Sequence, residues 1–88
     1  MKGREIVLVE WLDSKGIERW EYLDEIEPLP PSRCYSVGFL IDDNKDYKTI
    51  ALGLSDTQVL GRTTIPSGCI ISTKRLTIPN PIDPSHEP

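Results

Sequence analysis

Histidine is almost missing from this chain. His86 is the only one among 88 residues, and it stands in a Pro-rich end segment. A base held in an extended tail cannot be fixed beside a nucleophile, which excludes Ser–His and Cys–His schemes. Cysteine is nearly as scarce: Cys34 and Cys69 form no CxxC pair, and with His86 they fall short of the four ligands of a structural zinc site. No Gly-rich phosphate loop of the usual spacing occurs. The expectation is therefore a protein without catalytic residues, metal or other cofactor.

Long apolar runs are also absent. No stretch approaches the roughly 20 residues that span a bilayer. Met1 to Glu5 carries charge but is followed by only four apolar residues, Ile6 to Val9, before Glu10. That pattern does not read as a secretory signal. The expected setting is the cytoplasm, with reduced thiols and no membrane contact. Positive charge is in deficit, 10 basic against 14 acidic side chains for a net −4. This argues against general nucleic-acid binding, which depends on neutralising phosphates.

What is present is strand chemistry. Glu5 to Leu12 is rich in β-branched and aromatic residues and apolar on both faces, Ile6, Leu8 and Leu12 on one, Val7, Val9 and Trp11 on the other. Two apolar faces imply that the second is covered by another segment or another subunit. Asp13-Ser14-Lys15-Gly16 reads as a turn, with Gly16 suited to positive φ. In the next stretch Ile17, Trp20, Leu23 and Ile26 recur every third residue, and a loop holding a short helix near Tyr22 to Ile26 is expected. Pro28, Pro30 and Pro31 end regular structure.

Cys34 to Asp42 is a second strand, with Tyr35, Val37, Phe39 and Ile41 on one face and Ser36, Gly38 and Asp42 on the other. Gly38 in mid-strand predicts a bend or a close backbone approach. Strands follow at Tyr47 to Leu54, Gln58 to Ile65 and Cys69 to Leu76, with polar loops at Asp42 to Asp46 and Ser55 to Thr57 and a one-turn break before the last. The expected fold is all-β, a small five-stranded SH3-like barrel over residues 1–76 with a short helix or loop insertion after the first strand. An OB-type barrel is the alternative. Residues 77–88, with four prolines, are expected to be an extended tail.

The set Val9-Glu10-Trp11-Leu12-Asp13-Ser14, Ser36-Val37-Gly38-Phe39-Leu40, Thr64-Ile65-Pro66 and Ile70-Ile71-Ser72 resembles short accessory proteins encoded by tailed bacteriophages. The resemblance covers residues 6–76. It implies a phage protein acting in the cytoplasm of an infected bacterium, in host takeover or in blocking immunity, by sequestering a signal nucleotide or a host protein. It assigns no site residues.

Two constellations remain for binding. Trp20 and Tyr22 could stack on a base, with Arg62 or Lys74 on a phosphate and Thr64 donating a hydroxyl; these make the candidate nucleotide site. Most aromatics are nevertheless expected in the core, where a domain this small needs them. The acidic run around Glu21, Asp24 and Glu25 reads as a solvated surface or as a docking patch for a basic host protein. Lys74 and Arg75 leave room for a nucleic-acid-binding module, and a virion-associated module is a further alternative. A homo-oligomer is expected, from the doubly apolar first strand and the small core.

Overall fold

The computed structural model describes residues 4–77. It contains β1 (Ile6–Asp13), β2 (Ser32–Asp43), β3 (Tyr47–Leu54), β4 (Val59–Pro66) and β5 (Ile70–Leu76), with one 3-10 turn at Ser67–Cys69. All pairings are antiparallel in one open sheet of order β4-β3-β2-β1-β5. The all-β expectation holds, and observed strand ends lie within two residues of the expected ones. The tail reading and His86 fall mainly on residues 78–88, outside those described.

β2 is long because it serves two partners. Its first part pairs with β1, from Ser32 opposite Asp13 to Phe39 opposite Ile6. From Phe39 onward it pairs with β3, and the register shifts between Leu40 and Asp42. A bulge of this kind bends a strand and raises its twist. Gly38 precedes it, and a Cβ there would lie 2.7 Å from the Ala51 carbonyl oxygen. The expected close approach is present, and only a residue without a side chain permits it.

Pairing register decides which residues share a side. Val7, Val9 and Trp11 of β1 stand with Cys34, Ser36 and Gly38 of β2. Ile50 of β3 and Ile65 of β4 continue the same side. Val7, Val9, Ile50 and Ile65 form the buried core, and Trp11, Leu40, Cys69 and Ile70 pack against it. Trp11 Nε1 donates to Ser36 Oγ at 3.0 Å, so the half-buried indole has its partner. The Cys34 and Cys69 thiols are both free and half-buried.

The polar loops fold as their side chains direct. Asn44 Oδ1 accepts from the backbone N–H groups of Asp46 and Tyr47, closing the β2–β3 hairpin. Ser55 Oγ accepts from Thr57 and Gln58 in the β3–β4 hairpin. Both are local side-chain turns of the Asx and Ser/Thr type. Gly61 is the one described glycine with positive φ, at 66°, and it lies under the Leu52 side chain.

The segment between β1 and β2 departs from expectation. No helix forms; a single turn over residues 23–25 is closed by Glu25 N–H donating to the Tyr22 carbonyl at 3.0 Å. Glu18, Glu21 and Glu25 recur at helical spacing, where like charges repel. Every residue of the segment is exposed, so a helix so short has little surface to pack on. Gly16 does not adopt positive φ, and residues 13–16 form no tight turn. The chain instead leaves the sheet at Asp13 and returns at Ser32 as an arm, every residue of which is exposed.

Candidate functional site

The residues expected to contact a nucleotide occupy three separate places. Trp20 and Tyr22 are on the arm, Trp20 fully exposed and Tyr22 largely so. Arg62 and Thr64 are on β4, one edge of the sheet, and Lys74 is on β5, the other edge. Register puts Arg62, Thr64 and Lys74 on the side away from the core. Three strands separate the two edges, and the Thr64 hydroxyl is already engaged with that of Thr49 at 2.8 Å. The five residues thus lie on three elements, the arm and the two edge strands.

The acidic constellation is brought together. Glu21, Asp24 and Glu25 lie on and beside the single turn of the arm. Arg19 approaches Glu21 at 3.7 Å, while Asp24 and Glu25 have no ion-pair partner among the described residues. Interleaved with them are Trp20, Leu23 and Ile26, all exposed, Leu23 at 88%. Of the aromatics expected in the core only Trp11 joins it; Trp20, Tyr22 and Tyr35 do not. Trp20 and Tyr22 lie on the arm, and Tyr35 is on the wrong side of β2.

That side of β2 is the feature sequence reasoning left unplaced. Tyr35, Val37 and Phe39 are paired with Glu10, Leu8 and Ile6, on the sheet side opposite the core. Tyr35 is 63% exposed and Val37 52%. Leu8 and Leu12 beside them are half-buried. The result is an outer apolar face formed by β1, the first part of β2 and β5. Its charges are Glu10, Arg33 and Lys74. Glu10 is matched by Arg33 at 3.3 Å and by the Ser72 hydroxyl at 3.3 Å. Lys74 has no ion-pair partner among the described residues. The available signal was the apolar second side of β1 itself.

Shallow hollows lie on the sheet and on the arm, where one of about 320 Å³ is lined by Trp20, Glu21 and Tyr22. A depression of about 530 Å³ lies between Arg4 and the β3–β4 turn, lined by Asp56, Thr57 and Gln58. A smaller one of about 180 Å³ is bounded by Ser36, Ile50, Leu52 and Thr63. Among the described residues no three His, Cys, Asp or Glu side chains cluster as metal ligands, and no helix is long and apolar enough to cross a membrane. Compared with known proteins, the chain matches no protein-family model, no curated protein and no solved structure.

Proposed function

We propose that this is a non-enzymatic binding protein of the phage accessory type, an SH3-like β-barrel that acts by docking on another protein through its arm. The strand order, with β1 between β2 and β5 and a 3-10 turn before β5, supports the barrel reading. One observation carries the function: the apolar side chains of the arm stand in solvent, set among five acids. Exposed apolar groups of this size, rimmed by charge, are the composition of a contact surface. The acids steer encounter with a basic partner. A host protein in the bacterial cytoplasm fits the resemblance to phage accessory proteins.

Sequestration of a nucleotide is the second reading. The exposed Arg62 and Lys74 favour it, since both are free of ion pairs among the described residues. The arm weighs against it, because Glu18, Glu21, Asp24 and Glu25 surround Trp20 and Tyr22 and repel phosphates.

Native mass spectrometry of protein purified gently from infected bacteria separates the two. Docking predicts an added polypeptide mass other than that of a second 9.9 kDa copy, which disappears when Glu21, Asp24 and Glu25 are changed to Lys. A bound mass of nucleotide size, retained in that variant and lost in Arg62→Ala, would overturn docking and establish sequestration.

A further inference from the structure

Two apolar surfaces of this chain have no cover, and they are complementary. The first is the arm, where Ile17, Trp20, Leu23, Ile26 and Leu29 are all exposed. The second is the outer sheet face around Leu8, Leu12, Tyr35 and Val37. The arm is acidic, with Glu18, Glu21, Asp24, Glu25 and Glu27 against Lys15 and Arg19. The face has Glu10 already neutralised by Arg33 and leaves Lys74 unmatched among the described residues. An acidic apolar segment and a basic-leaning apolar face therefore sit on the same polypeptide.

We infer that the partner the arm meets first is a second copy of this chain, the arm of each copy lying across the outer β1–β2–β5 face of the other. This rests on reading the arm as a docking element and names its occupant. The arm's two roots, Asp13 and Ser32, are paired in the β1–β2 ladder, so it leaves from one end of that face. All its residues are exposed, so it does not fold back on its own sheet. Exchange between two copies gives a closed pair in which each supplies one arm and one face.

The areas are sufficient. Five exposed apolar arm side chains hold on the order of 600 Å², taking an aromatic at about 150–250 Å². Two reciprocal contacts, counted on both surfaces, reach up to roughly 2,400 Å², against ~1,600 Å² for a typical stable interface. The need is also present: the buried core cluster is Val7, Val9, Ile50 and Ile65. A domain this small gains its missing support from association. The apolar second side of β1 then has its cover.

Sedimentation equilibrium of the full chain at micromolar concentration tests this. The expected result is twice the 9.9 kDa chain mass. Trp20→Ser on the arm and Val37→Asp on the face each return the protein to monomer. Both side chains are exposed within one chain, so neither change touches the core, and circular dichroism of each variant is expected to match the parent. A monomeric parent overturns the inference, leaving the face to residues 78–88 or to a different protein. A dimer that survives Trp20→Ser overturns it too, since the contact then lies elsewhere. The docking proposal fails separately. A monomer whose partner mass is lost in Trp20→Ser leaves docking standing, and a partner mass indifferent to that change removes it.

Discussion

β1 has two sides of nearly equal hydrophobicity and unequal fate. Val7 and Val9 are buried to 2% and 0% exposure, closed over by Ile50 and Ile65. Leu8 and Leu12 on the other side are only half-buried, and the neighbouring Tyr35 and Val37 face solvent. Composition does not separate these sides. The bend in β2 does, because it folds the β3–β4 ladder over one side and not the other. An apolar residue is thus core only when the backbone brings something to cover it.

The sharpest way to break the comparison is to remove bulk from each side in turn. On the core side, Ile65→Ala is expected to cost about 2–5 kcal/mol, by lost transfer energy and a cavity. Urea denaturation read by Trp fluorescence would measure it, and an effect below the range would mean that the core relaxes around the gap. Next comes the bend itself. Gly38→Ala forces a Cβ to within 2.7 Å of the Ala51 carbonyl oxygen, and the required backbone shift should cost about 1–3 kcal/mol.

Gly61→Ala should cost less, about 1–2 kcal/mol, from placing an L-residue at positive φ. The new Cβ would also meet Leu52 Cδ1 at 2.8 Å. Adding Leu52→Ala should recover the steric part and leave the backbone part, which a double-mutant cycle separates. Smallest is Val37→Ser on the outer face. In dilute protein its effect should stay within about 0.5 kcal/mol, as for ordinary surface changes. If copies associate through that face, the destabilisation grows with protein concentration, since binding to the native state raises apparent stability. A melting temperature independent of concentration in both proteins would mean that no second copy covers the outer side of β1.

Much of the fold was legible in the sequence because strands and turns announce themselves locally. Alternation in Tyr35, Val37 and Phe39, and the turn chemistry of Asn44 and Ser55, depend on neighbours a few residues away. Sidedness was not legible, since it depends on β2 changing partner at Phe39, a long-range event. The helix expected at Tyr22 to Ile26 failed for a related reason. A threefold apolar repeat stabilises a helix only where there is a surface to pack on, and the arm has little within its own chain. The candidate binding residues were read by chemistry alone. Trp20 and Tyr22 are exposed, but nothing in the sequence says that they lie on the arm while Arg62 and Lys74 lie on the two edge strands. Gly61 carried no local warning, and its φ of 66° beneath the Leu52 side chain shows only in the structure.

The position of β1 between β2 and β5 has a consequence for how the chain comes into being. Ile6 to Trp11 must pair with Ile70 to Leu76, a partner made more than half a chain later. Non-local pairings of this kind raise contact order and slow folding. The β2–β3 and β3–β4 hairpins can close from near neighbours, while β1 waits with one row of amides and carbonyls unpaired. During that interval Ile6 to Val9 is an apolar edge open to other chains, the period in which such a segment aggregates. In a crowded cell making much of this protein, yield is then set by how soon β5 arrives. Of the five strands described, the first synthesised is the last to be completed.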